Sequence, residues 1–353
     1  MKKGIDIPRQ SGGSREYAAA GVDLDAAEAA KRRIRELVAG TRTALSTGKV
    51  GAFGGMVRVP PGMRRPVMVL STDGVGTKVL VAMQAERFDT VGEDLVNHSV
   101  NDILVHGATP VAFMDYIAGA ALSVEHIASI VEGIARGCRA HDMALAGGET
   151  AQMPGLYQPG TYDLAGTIVG VVEEDRALHG DAIAPGDVLL GYASTGLHTN
   201  GYTLARRIIF DRMKLRMNDR LGDTGLSVAD ALLAVHRSYY RCLTPVLGLV
   251  HGIAHITGGG IAGNLVRILP QDCVAMVDPR TWEPPPLFTT LQQAGQVSTE
   301  EMREVFNLGV GLIAVLPPDA VAAAAAVASA NGVPTWVMGE IHQGSKAVHF
   351  ARP

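Results

Sequence analysis

Apolar residues along this chain fall into two kinds of pattern. Pro66 to Ser71 (PVMVLS), Val111 to Ile117, Ala144 to Ala146 and Leu164 to Val172 are short, mostly apolar runs of strand length, which predicts buried β-strands. Elsewhere apolar positions recur every three or four residues. After Ser123, a predicted cap, Val124, Ile127, Val131, Ile134 and Cys138 fall at helical spacing. Val22 to Val38, with Asp23 or Asp25 as cap, and Thr90 to His106 also predict helices. A polar Gly/Pro-containing link at Asp175 to Pro185 then leads to a new strand, Asp187 to Gly191. Helices follow at Tyr202 to Phe210, Val228 to Gly248, Ile261 to Ile268, after the Ser298–Glu301 capping box, and at Ala320 to Ala330, with a strand at Gly311 to Leu316. The expected organisation is a tail at residues 1–16, one domain at 17–177 and another at 178–353. Alternating strands and helices place both in the α/β or α+β classes.

Composition narrows the function. With 353 residues, 47% hydrophobic, the chain can bury a large core in about two domains. Its 42 glycines follow no collagen period, so they are expected in turns and where backbone approaches a ligand. A net charge of -4 and the lack of a basic run argue against a nucleic-acid partner. Cys138, Cys242 and Cys273 form no C-x-x-C pair and read as buried thiols of a reducing compartment, so the expected location is cytoplasmic. No run reaches the roughly 18 apolar residues of a membrane span.

Familiar nucleotide signatures fail. Near Gly48-Lys49 a P-loop would need glycine at Thr43 and Ser or Thr at Val50. Gly309 to Ala314 matches a dinucleotide fingerprint by letters but lies between a helix and a strand, the reverse of the required order. The stronger feature is Ser71 to Lys78 (STDGVGTK), where a strand ends in Asp73, Gly74, Val75, Gly76, Thr77 and Lys78. A carboxylate, free N–H groups and an ammonium together suit a Mg²⁺-bound polyphosphate; an ordinary glycine turn is the alternative. In the next helix Asp94, His98, Asp102 and His106 are spaced by four and share one face, with Asn101 beside them. Apolar residues cover the remaining circumference, so those carboxylates need a cation or donors. The Asp/Asn mixture favours a hard ion over zinc, and a solvated polar stripe remains open. Glu149, in Gly147 to Thr150, could add a carboxylate at the same edge or simply hold a turn. Gly51 to Gly55 (GAFGG) could close over phosphates or merely connect.

In the second half, Ser194 to Arg206 (STGLHTNGYTLAR) and Ile256 to Gly260 (ITGGG) each place a polar glycine loop before a helix, which suits a phosphate or ribose phosphate. His198 and His255 lie beside these loops, as proton carriers or as loop hydrogen-bonders.

Together these segments resemble the phosphoribosylformylglycinamidine cyclo-ligase (aminoimidazole ribonucleotide synthetase) family, from Tyr17 to about Gly339. The carriers are YAAAGVDLD, GAFGG, STDGVGTK, GEDLVNHSVNDILVHGATP, GGETAQMPG, STGLHTNGYTLAR, HITGGG and FNLGVG. The resemblance implies an α+β N-terminal domain whose sheet contributes to a dimer barrel, and an α/β C-terminal domain with a mixed sheet flanked by helices. It implies a homodimer that converts formylglycinamidine ribonucleotide and ATP to aminoimidazole ribonucleotide, ADP and phosphate. Carried over by position, Asp73, Asp94, Asp102 and Glu149 would serve Mg²⁺, while Gly54, Gly55, Gly74 to Lys78 and Asn101 would hold ATP. Asn200, Gly201, Thr257, Gly258, Gly259 and Gly260 would hold the substrate, with Lys78, His198 and His255 catalytic. The chain departs from the family pattern at Ala27, Arg35, Gln152, Thr199, Gly263 and Val305, none of them a carboxylate of the proposed metal set.

Overall fold

The computed structural model describes residues 24–48, 51–120 and 122–351; the expected tail and the segment Tyr17 to Asp23 lie outside them. Helix α1 (Leu24–Ala39) leads to strand β1 (Pro66–Gly74), helices α2 (Lys78–Gln84) and α3 (Asp89–Leu104), β2 (Thr109–Gly119), α4 (Val124–Ala140), β3 (Ala144–Gln152) and β4 (Tyr162–Glu173). The four strands form one sheet, ordered β1-β4-β2-β3, antiparallel except for the β2–β3 pair. Ser123 caps α4 as expected, its hydroxyl accepting from the His126 amide. Helices α3 and α4 meet at backbone contact. A side chain at Gly92 would strike the Ile130 carbonyl, and one at Gly133 the Asp89 carbonyl. Leu95, Val96, Val100, Ile103 and Leu104 of α3 are fully buried, as its apolar circumference requires.

The second half comprises β5 (Val188–Ala193), α5 (Tyr202–Arg206), α6 (Val228–Leu232), α7 (Tyr240–Leu243), β6 (Gly252–His255), α8 (Gly260–Leu265) and β7 (Cys273–Val277). Then come α9 (Pro286–Gly295), α10 (Thr299–Val305), β8 (Val310–Leu316), α11 (Val321–Ala330), β9 (Thr335–Gln343) and β10 (Ala347–Phe350). Six strands form a mixed sheet, β10-β7-β9-β5-β8-β6, with only β10–β7 parallel. Every residue of β8 is buried, which accounts for its unbroken apolar run.

Two expected helices are corrected. Tyr202 to Phe210 is α-helical only to Arg206 and continues as a π-helical turn, Arg207–Arg212. Val228 to Gly248 is no single helix. Between α6 and α7 the backbone amides of His236 and Tyr239 donate to Asp94 Oδ1 (2.7 Å) and Asn101 Oδ1 (3.0 Å) on α3. Amides held from outside cannot close helical turns, so the segment stays irregular.

A candidate active site between the two sheets

A cavity of 530 Å³ opens where the end of β1, the length of α3 and the end of β6 converge. Asp73 reaches it from β1, His98 and Asp102 from successive turns of α3, and His255 from β6. These side chains belong to one hydrogen-bonded chain. Asp73 Oδ2 lies 2.8 Å from His98 Nε2, and His98 Nδ1 lies 2.7 Å from Thr199 Oγ1. Thr199 Oγ1 is 3.3 Å from His236 Nδ1, His236 Nε2 is 3.1 Å from His255 Nε2, and His255 Nδ1 is 2.9 Å from Asp102 Oδ1. Ser71 Oγ donates to Asp102 Oδ2 at 3.0 Å.

Both ends of that chain are carboxylates, which only accept, so His98 donates through Nε2 and His255 through Nδ1. Burial disfavours a charged His98, but the hydrogen bond to Asp73 and the field of Asp102 outweigh it and raise its pKa. Burial keeps His236 and His198 far below the ordinary imidazole value, aided by the neighbouring histidines. Burial also lowers His255, against the pull of Asp102. Asp73 and Asp102 end below the usual carboxylate value, because their imidazole partners overcome burial. The protonated form is thus favoured at His98, facing Asp73, and the neutral form at His236 and at His255, which leads to Asp102.

Other expected residues lie elsewhere. Lys78 and Asp94, assigned to phosphate and Mg²⁺, are turned on each other at 2.7 Å with both side chains fully buried. The remaining ammonium hydrogens go to the Ala234 and His198 carbonyls, at 2.8 and 3.2 Å, so Lys78 has none left for a ligand. Asp94 also accepts from the His236 amide. Burial raises Asp94 to about 6 and lowers Lys78. Asn101, expected at ATP, is fully buried and clamps the irregular segment between α6 and α7 through the Arg237 carbonyl and the Tyr239 amide. These three residues hold the second half of the chain to α3; they do not line the cavity.

Glu149 does not share an edge with Asp73. Sheet register aligns Asp73 with Gly166, Asp115 and Gly148, so Glu149 stands three strands away, about 14 Å at ~4.8 Å per strand. The Gly54-Gly55 loop packs there too, with Gly55 against Ala146 of β3. Beside it Asp115, which was not singled out from the sequence, is pushed up to about 7 by burial and by Glu149. Within one chain the glycine loop and Glu149 thus form a second locus, separate from the cavity.

The second-half loops do converge with the β1 turn. Gly76 approaches the Thr199 carbonyl, Thr77 Oγ1 is 3.2 Å from Thr203 Oγ1, and Val75 is fully buried. Asn200 Oδ1 lies against Gly258, and Gly201, Gly259 and Gly260 take positive φ angles of 77°, 93° and 62° that L side chains rarely adopt. Asn264 ties the TGGG loop together by donating to the Thr257, Gly258 and Gly260 carbonyls, and Thr257 faces the cavity. His198 is buried at φ 60°; its Nε2 accepts from the Thr195 amide and its ring stacks on His236, 3.9 Å between centroids. It lines no part of the cavity, whereas His255 does. Sequence reading passed over His236. Its signal was a lone imidazole in an apolar stretch predicted to be helical.

The fold and site define a two-domain AIR synthase related enzyme. Residues 54–172 match the model described as AIR synthase related protein, N-terminal domain, and residues 184–351 match its C-terminal domain. A phosphoribosylformylglycinamidine cyclo-ligase of Sorangium cellulosum (strain So ce56) is 47% identical over 329 residues, covering 92% of this chain and 94% of the relative. The fold is shared with the thiamine-monophosphate kinase of Stenotrophomonas maltophilia K279a, at TM-score 0.67 and 20% identity over 91% of this chain and 95% of that one. It is also shared with the hydrogenase maturation protein HypE solved in complex with ATP, at TM-score 0.63 and 18% identity over 96% and 92%. The chain belongs to the phosphoribosylformylglycinamidine cyclo-ligase family.

Proposed function

We propose that this chain uses ATP to close the imidazole ring of aminoimidazole ribonucleotide from formylglycinamidine ribonucleotide. Kinship with the cyclo-ligases supports the reaction, and the cavity supports its chemistry. No Cys lines the cavity, and its one Ser, Ser71, donates its hydroxyl hydrogen to Asp102; the polar floor is the carboxylate–imidazole chain from Asp73 to Asp102. Such a floor suits a reaction made of positioning, charge neutralisation and proton movement. The formyl oxygen takes the γ-phosphoryl group of ATP, the amidine-side nitrogen attacks the formyl carbon, and the C–O bond breaks as phosphate leaves. The cavity end of that chain, Asp102 with His255 behind it, is placed to take up the proton lost by that nitrogen, and His98, whose protonated form Asp73 and Asp102 favour, to steady developing negative charge.

Asp73 and Asp102 fit a Mg²⁺ ion, being partly exposed hard-oxygen donors at one end of the cavity. Mg²⁺ bound there would neutralise phosphate charge. Asp94, locked to Lys78, and Glu149, across the sheet, do not fit the same ion.

The chain is further proposed to act as a cytoplasmic homodimer. The face of the N-terminal sheet opposite α3 exposes Met68, Leu70, Met114 and Tyr116, an apolar surface suited to a second copy. The three cysteines are free and buried, and no helix among the described residues is long and apolar enough to cross a membrane. The deciding experiment incubates the protein with formylglycinamidine ribonucleotide, ATP and Mg²⁺ and follows aminoimidazole, ADP and phosphate. Equal formation of all three supports the reading; ADP without aminoimidazole overturns it.

A further inference from the structure

The far end of the cavity carries the opposite chemistry to its carboxylate end. From His98 to its end at Leu104 α3 rises about 9 Å, and His106 follows two residues on. Beyond it the cavity is lined by His106, His179 and Arg267, with Val105, Leu178 and Ile253 also on its wall. The His106 and His179 rings stand 6.4 Å apart. Any side chain at Gly180 would strike the Ile268 carbonyl, so the loop carrying His179 lies directly on the segment carrying Arg267. The Arg267 side chain is exposed to the cavity and meets no carboxylate among the described residues; its Nη1 lies only 3.5 Å from Asn264 Oδ1. Through Asn264 it is linked to the loop Thr257 to Gly260, whose Thr257 lines the same wall.

We propose that Arg267, flanked by His106 and His179, anchors the 5′-phosphate of the ribonucleotide substrate and so sets which end of that substrate faces Asp73, His98 and Asp102. This rests on the proposed function for the identity of the substrate, but not for the phosphate chemistry. A guanidinium without a carboxylate partner offers a planar fork that matches a phosphomonoester. The opposite end holds no guanidinium, and the proposed reaction places the γ-phosphoryl group of ATP there. A ribonucleotide whose phosphate sits at Arg267 must point its amidine and formyl groups toward the carboxylates. The reverse orientation would put like charges together at one end. Arg267 is thus a specificity residue for the phosphorylated substrate, acting on binding and orientation.

The test uses the full-length protein and two readouts. By calorimetry, ribose 5-phosphate should bind and unphosphorylated ribose should not. Arg267→Ala should weaken ribose 5-phosphate by about 10- to 100-fold, with Arg267→Lys recovering part of the loss. In steady-state kinetics Arg267→Ala should raise KM for formylglycinamidine ribonucleotide by a similar factor while leaving KM for ATP unchanged. Ribose 5-phosphate affinity unchanged in Arg267→Ala would overturn the anchor, and so would a parallel loss for ATP, which would assign the site to the triphosphate. If no aminoimidazole forms in the unaltered protein, the proposed reaction fails while the calorimetric arm still decides the anchor.

Discussion

Lys78 Nζ lies 2.7 Å from Asp94 Oδ2, and solvent reaches neither side chain. The pair joins the first turn of α2 to α3, and through the Ala234 and His198 carbonyls it holds the second half of the chain against both. Removing one partner strands the other as a buried charge, at a cost of about 3–5 kcal/mol. Lys78→Met and Asp94→Asn should each lower the urea midpoint strongly, and the double variant should lose clearly less than the sum. Additive losses in that cycle would mean that the two groups are not coupled.

His141 supplies a pH dependence. Its Nε2 lies 3.2 Å from Asn97 Oδ1, its Nδ1 has no partner, and burial, with the Arg241 charge adding, lowers its pKa to about 4. A histidine depressed in the folded state contributes stability that is fully present above the unfolded value of about 6.5 and lost as pH falls through about 4. The full loss is up to about 3 kcal/mol. Urea midpoints measured between pH 7 and pH 4 should therefore fall more steeply for the unaltered protein than for His141→Gln. Parallel slopes would remove His141 from the acid sensitivity.

Most elements of the first half were legible because their signals are local. The α4 cap at Ser123 and the strands β1, β2 and β4 depend on nearby residues alone, but β1, expected to be buried, is exposed along most of its length, which its apolar run could not show. The break between α6 and α7 was not legible, because it is imposed by Asp94 and Asn101, more than a hundred residues earlier. The site shows the same division. Asp73, His98 and Asp102 announce themselves by spacing on one strand end and one helix face, yet the same spacing offered Asp94 as their equal. Which carboxylate faces ligand and which faces Lys78 depends on where Ala234 and His198 fold back, and periodicity does not carry that information. Glu149 was misplaced for a related reason: strand order, not strand sequence, puts β3 at the opposite edge from β1.

The bare sheet face makes a prediction about assembly. Met68 and Leu70 of β1 are each 59% exposed, unusual for adjacent large apolar residues on one face of a sheet. Leu70→Glu points away from α3 and should leave the fold intact while introducing a charge into the proposed interface. Sedimentation equilibrium should show a dimer for the unaltered protein and a monomer for Leu70→Glu. A monomer in both cases would rule out this face as the contact.

Asp102 is the point where the proton chain meets the cavity. It accepts from His255 at 2.9 Å and from Ser71 at 3.0 Å, with His98 Nε2 at 3.5 Å. Asp102→Asn preserves shape but removes the charge that takes up the proton and holds His255 as its Nδ1–H form. The rate of ring closure should fall by about 10²- to 10⁴-fold, with the thermal midpoint little changed. His236→Gln should be milder, since the amide can still donate to His255 Nε2, whereas His236→Leu, which can donate nothing, should approach the Asp102→Asn rate. Single-turnover rates with saturating ATP separate these effects from binding. An Asp102→Asn rate within roughly threefold of the unaltered protein would place the essential base outside this chain of residues. Equal rates for the Gln and Leu variants of His236 would show that its N–H does not govern His255.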